Sequence, residues 1–265
     1  MRESTFERLT GANPAPERIA TGFRFTEGPV FSRLGYLLFS DSPSGRIMKW
    51  EAGKVTVFRE KSNGAGGLTF DHQGRLLACE QGRITRTEKS GTVTVLADRC
   101  ETVPLNHPND VVYAIDGTIY FTDGNKGASV LCRIDRKGKV HTASRECRMA
   151  HGVALAPNQQ KLYVADTASA NIRVYDISGD GSPKNGRLFA EARPNGLKTD
   201  EEGNVWTTDG DAITVFDPGG TKLGSIAMPE TPSNCAWGEG FRSLYVTARS
   251  SIYKLRANVN GTRTY

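Results

Sequence analysis

No apolar run in this chain approaches the roughly 18 residues of a membrane span. The opening stretch, MRESTFERLTGANPAPERIA, has no apolar centre of the secretory-signal kind. Both absences point to a cytoplasmic protein with no membrane partner. Cysteine is sparse: five residues, at 79, 100, 132, 147 and 235, odd in number and without CxxC spacing. A zinc site built on thiolates is therefore disfavoured. Cys79, Cys132 and Cys235 lie in strand-like apolar runs, so buried, reduced thiols are expected. There is no G-x-S-x-G elbow, no HExxH, no GxGxxG on a βα unit and no Walker loop. These gaps argue against serine hydrolases, zincins, dinucleotide enzymes and P-loop nucleotidases. The net charge of +5 is mild, with Lys and Arg spread among acidic residues, and RNP, zinc-finger and basic-helix motifs are missing. Nucleic acid is not an expected partner. No segment keeps a 3.6-residue apolar period for about twelve residues, so a helical fold is excluded.

What is present is one short pattern in six copies. Each opens a strand as x-Gly/Asp-φ-x-φ, with φ apolar, or a close variant of it. The copies begin at Glu27 (EGPVF), Gly66 (GGLTF), Asn109 (NDVVY), His151 (HGVAL), Asn195 (NGLKT) and Ser233 (SNCAW). They stand roughly 40 residues apart, and short strands at that period are the mark of a β-propeller. The first copy shows the blade plan: GPVF (28–31), YLLFSD (36–41), RIMKW (46–50) and KVTVF (54–58), separated by tight turns. The 29 glycines suit so many turns. The sixth copy lacks a fourth strand, and ERIATGF (17–23) is the natural donor. The expectation is an all-β, six-bladed propeller, a single domain over 1–265, closed by an N-terminal strand joining the last blade.

In a propeller the innermost strand of each blade lines a central channel, so equivalent repeat positions form a ring at one depth. Here the ring reads Glu27, Gly66, Asn109, His151, Asn195, Ser233. Any one of these residues alone is most simply a turn or capping residue. Their shared offset makes them a candidate site, and Glu27 brings a carboxylate that is costly to bury unless paired or metal-bound. A second layer ends strand two of several blades: Asp41, Glu80, Asp123, Asp166 with Thr167, and Asp209. Turn capping explains most of these equally well. Asp123 and Asp209 are the better candidates, because a glycine follows each. His107 precedes Asn109 on a loop that could reach substrate. The loops 42–45, 97–107 and 124–129 are expected to set substrate choice. No coiled-coil heptad speaks to oligomeric state.

The segments EGPVF, GGLTFDHQGRLLACEQ, HPNDVVYAIDGTIYFTD, HGVALAPNQQKLYVADT and NGLKTDEEGNVWTTDG resemble the SMP-30/gluconolactonase/luciferin-regenerating family, its bacterial sugar-lactonase branch above all. The resemblance spans about residues 17–257. It implies one divalent metal ion at the channel mouth and hydrolysis of a lactone. It also implies ion ligands at Glu27, Asn109, His151 and Asn195, two of them altered: His151 falls where the family has Asn, and Asn195 where it has the Asp that is the usual general base. Asn195 cannot serve as a base. An imidazole shifts preference from Ca²⁺ toward Zn²⁺, Fe²⁺ or Mn²⁺.

Three readings follow. In the first, a metal-dependent hydrolase opens a lactone, with Glu27, His151 and Asp123 as catalytic residues and Asn109, His107 and Asp209 against the small-molecule substrate. In the second, Glu27 and His151 form an acid–base pair with no metal, for isomerisation, cyclisation or elimination. In the third, the propeller only binds.

Overall fold

The computed structural model describes residues 4–124 and 129–263. It contains six four-stranded antiparallel sheets in chain order, the blades of a six-bladed β-propeller. The expected closure is present. Strand Glu17–Thr21 pairs with the last strand, Ser251–Arg256, so the sixth sheet is built from both ends of the chain. Ser233 Oγ also donates to the carbonyl of Thr26 at 2.8 Å, joining blade six to blade one.

The apolar pattern of each strand follows its place in the blade. Strand two is enclosed by neighbouring blades on both faces and is buried throughout in blades one to three: Leu37–Asp41, Leu76–Glu80 and Ile119–Asp123. That is why these strands read as nearly continuous apolar runs. The outer strands keep one face in water, and Val57 in blade one is 40% exposed. The core is divided by the seams. Leu197 and Val205 of blade five pack with Tyr163 and Val174 of blade four, and Tyr245 and Ile252 of blade six pack with Leu37 and Phe39 of blade one. Wedges of apolar surface between sheets hold the ring together through the hydrophobic effect.

Three features depart from the sequence reading. A six-residue helix, Thr5–Thr10, precedes the closing strand, with Ser4 and Glu7 forming a capping box. It is held by burying Leu9 in the seam between blades five and six, a tertiary contact that periodicity over so short a stretch cannot report. Residues beyond the last strand cross the channel end remote from the ring: Gly261 bridges Asp200, and Thr262 N–H donates to the Thr199 carbonyl. The cysteine expectation is corrected in part. Cys79, Cys147 and Cys235 are free and buried, but Cys100 and Cys132 form a disulfide. A short hairpin, Arg99–Cys100 with Val103–Pro104, brings Cys100 back onto blade three, and spacing alone gave no sign of it.

Candidate active site at the channel mouth

The ring residues occupy one register. In five blades the ring residue is the second residue of the inner strand: Thr26–Phe31, Pro108–Tyr113, Ala150–Leu155, Pro194–Thr199 and Pro232–Gly238. The residue before it pairs with the last residue of strand two, as in Thr26↔Asp41, Pro108↔Asp123, Ala150↔Asp166 and Pro194↔Asp209. Just past it the ladder of each of these blades is interrupted by a bulge or irregularity, a device that re-aims side chains at sheet ends. The glycine that follows several ring residues is required by crowding. Gly28 has φ +48°, and a Cβ there would lie 2.1 Å from the Gly66 carbonyl oxygen. Inner strands thus approach backbone to backbone just below the ring.

Hydroxyls on strand two fix the ring carbonyls of the next blade. Ser40 Oγ donates to the Gly66 carbonyl at 2.8 Å, and Thr122 Oγ1 donates to that of His151 at 2.5 Å. Thr208 Oγ1 reaches that of Ser233 at 3.4 Å. The signal for these staples was a Ser or Thr directly before a strand-ending Asp, as in Ser40-Asp41, Thr122-Asp123 and Thr208-Asp209.

The strand-ending acids are structural clasps. Asp123 accepts from the backbone N–H groups of Asn106 and His107 at 2.8 and 2.9 Å. Asp41 holds Arg24 and Phe25, and Asp166 holds Arg148 and Met149, in the same way. Asp209 accepts from the Arg193 N–H at 2.7 Å and from Thr214 Oγ1 at 3.0 Å. Both oxygens of Asp123 and both of Asp209 are so engaged, which is the turn-capping role. Glu80 is bound by Arg59, Arg83 and Thr85. The glycine after Asp123 does leave room: a Cβ on Gly124 would lie 2.8 Å from Cδ2 of His151, so the imidazole fills that space. His107 is exposed beside the mouth and Asn109 is half-buried. Of loop 124–129, residues 125–128 lie outside the described residues.

Two groups of side chains define the electrostatics. Around Glu27, burial pushes the carboxyl up from 4.5 to about 7; the Gly28 N–H opposes this, Asp110 adds to it, and Lys198 and Asn234 oppose it. The Gly28 N–H donates to Glu27 Oε2 at 3.0 Å, and among the described residues no ion pair reaches this carboxylate. Asp110, Lys198 and Asn234 were not singled out from the sequence. Asp110 is buried and accepts from Val111 N–H at 3.0 Å and Val153 N–H at 3.2 Å, with Lys198 Nζ at 3.9 Å. Its signal was a charged residue where most other copies carry glycine. Around His151, Nδ1 lies 3.2 Å from Asn195 Oδ1 and 3.0 Å from Thr167 Oγ1, and burial lowers the imidazole pKa from 6.5.

Among the described residues no three His, Cys, Asp or Glu side chains gather as a metal cluster. The ring offers a leaner donor set. Glu27 is a half-buried carboxylate with no ion-pair partner among the described residues, and a cation would relieve its raised pKa. His151 has its Nδ1 side occupied, its Nε2 makes no hydrogen bond among the described residues, and Asn109 adds an amide. One carboxylate, one imidazole and one amide fit a borderline ion better than Ca²⁺, which favours several oxygens.

Comparison with known proteins agrees with the propeller fold. The model of the SMP-30/Gluconolactonase/LRE-like region matches residues 25–250. A gluconolactonase of Zymomonas mobilis is 30% identical over 294 aligned positions, covering 92% of this chain and 82% of its own. The solved structure of a gluconolactonase from Xanthomonas campestris superposes with a TM-score of 0.89 at 27% identity, covering 97% of this chain and 94% of that one. A luciferin-regenerating enzyme has the same fold, with a TM-score of 0.84 at 18% identity, over 95% of this chain and 99% of its own. The chain, with its propeller and its ring of inner-strand residues, belongs to the SMP-30/gluconolactonase/LRE-like family.

Proposed function

We propose that the chain, acting as one domain in the cytoplasm, opens the ring of a small lactone at the channel mouth, as its relatives' names indicate for them. The observation that carries this reading is Glu27: a half-buried carboxyl group set near neutrality at the start of an inner strand. In the ion-free chain a group of that pKa exchanges a proton near neutral pH, and a bound ion would keep it in the ionised, proton-accepting form. Glu27, Asn109 and His151 Nε2 would hold one divalent ion, with Zn²⁺, Fe²⁺ or Mn²⁺ favoured. Bound there, it would polarise the lactone carbonyl and lower the pKa of a water. Glu27 Oε1 accepts the proton of the attacking water. The new C–O bond forms at the carbonyl carbon, the ring C–O bond breaks, and the proton passes to the departing ring oxygen, which becomes the alcohol of the hydroxy acid. His107 and Asn109 would meet the substrate's hydroxyls. Asp123 and Asp209 support the mouth through the loops they clasp rather than through chemistry. Replacing Glu27→Gln is expected to lower lactone turnover by about a hundredfold or more. Wild-type rates in that variant would refute the assignment.

One observation favours a second reading. His151 is the other ionisable group of the ring, and Asn195 and Thr167 hold its Nδ1. With Glu27 it could form a metal-free acid–base pair. Activity that survives complete chelation and is lost in His151→Ala would select this reading over the first.

A further inference from the structure

We propose that Thr167 and Asn195 are positioning residues that hold His151 as its Nδ1–H tautomer, so that Nε2 presents its lone pair at the channel mouth. The argument is one of hydrogen counting. Thr167 Oγ1 lies 2.8 Å from the carbonyl oxygen of Pro194, and a carbonyl only accepts. The single hydroxyl proton of Thr167 is therefore spent there, and toward His151 Nδ1, 3.0 Å away, the hydroxyl can offer only a lone pair. That contact is a hydrogen bond only if Nδ1 carries the proton. Asn195 Oδ1, an acceptor 3.2 Å from the same nitrogen, shares it. Neutral imidazole has one N–H, so Nε2 is left bare.

The parts are held rigidly. Pro194 and Asn195 begin the inner strand of blade five. Thr167 follows Asp166, which is fixed by the backbone of Arg148 and Met149. The carbonyl of His151 accepts from Thr122 Oγ1, and Gly124 leaves the space that its ring fills. The chemistry of position 195 is also specific. A carboxylate facing Nδ1 would favour the charged imidazolium, whereas an amide oxygen orients the ring without adding charge. The chain thus carries a nitrogen lone pair on the side of the ring away from Asn195 and Thr167. Asn195 acts behind His151, and this replaces its expected place among the ion ligands. The inference rests on the lactone reading only for what Nε2 does, since the tautomer is a property of the resting protein.

The test is nitrogen NMR of the full chain, labelled with ¹⁵N-histidine, stripped of metal by chelation and held well above the imidazole titration range. There are four histidines, and the His151 signals are those lost in His151→Gln. The expected spectrum gives His151 a protonated Nδ1 and an unprotonated Nε2, with no second tautomer. In Thr167→Val the Nε2–H form, which free imidazole favours, should rise to a comparable share, and Thr167→Ser should restore the native spectrum. A purely structural Thr167 would leave the tautomer unchanged in Thr167→Val, and that result overturns its role. An Nε2–H tautomer in the wild-type chain overturns the whole inference, whether or not any variant folds. Failure of the lactone reading would show instead as absent turnover with this spectrum intact.

Discussion

Glu27 titrates near 7 in the folded chain against an ordinary value of 4.5, and burial is the leading cause. Between those values the folded state binds the proton that the unfolded chain releases. Stability of the ion-free protein therefore falls as pH rises from about 4.5 to 7 and levels off above, by up to about 3 kcal/mol. Denaturant titrations of chelated protein across that range should show the decline, and Glu27→Gln should remove it. A divalent ion at the ring would reverse the effect above pH 7, since it binds the ionised form. The ring residues themselves were legible from the sequence because one offset recurs six times. Asp110 and Lys198 were not, because each occurs once and Asp110 takes its meaning from a partner in another blade, Val153; Thr167 was noted beside Asp166, but its contact with His151 left no pattern to read. Asp123 and Asp209 attracted attention for their glycine neighbours. The contacts that define them, backbone N–H groups some sixteen residues earlier, are set by the turn geometry and leave no local pattern.

At the level of elements, the inner strand is where sequence and geometry are most tightly bound. Gly28→Ala would drive a Cβ into the Gly66 carbonyl from a left-handed backbone, and a loss on the order of 3 kcal/mol or more is expected in denaturant unfolding. A variant of native stability would show that the inner strands are looser than the structure has them. The closing strand Glu17–Thr21 covers the edge of Ser251–Arg256. Removing residues 1–23 should leave that edge open and yield a protein that aggregates, visible by light scattering. Strand order and closure could be read ahead because alternation, turn residues and a missing fourth strand are local signals. The helix Thr5–Thr10 could not, since its stability comes from Leu9 in a seam between two distant blades.

Across the whole molecule, the propeller joins residues distant in sequence through its seams, the hydroxyl staples between blades and one covalent bond. Cys100–Cys132 closes a loop with a sequence separation of 32 residues, and its loss in Cys100→Ala should cost on the order of 3 to 4 kcal/mol. Thiol titration of the unfolded, unreduced protein should count three free thiols out of five cysteines. Five would contradict the Cys100–Cys132 bond and the hold it gives the hairpin of Arg99–Cys100 with Val103–Pro104. The ring mouth and the far end of the channel differ in kind. The C-terminal residues Gly261 and Thr262 lie across the far end, against Asp200 and Thr199, whereas the ring residues Glu27 and His151 begin their strands at the other end.

The most direct test is hydrolysis of glucono-1,5-lactone followed in a pH-stat. It compares wild type with Glu27→Gln and His151→Ala, each stripped of metal and then supplied with Mn²⁺ or Zn²⁺. The account predicts turnover above the spontaneous rate in the metal-loaded wild type, a loss of about a hundredfold or more in Glu27→Gln, and failure of added ion to restore His151→Ala. Turnover that is undiminished by both substitutions would contradict the assignment of chemistry to the ring.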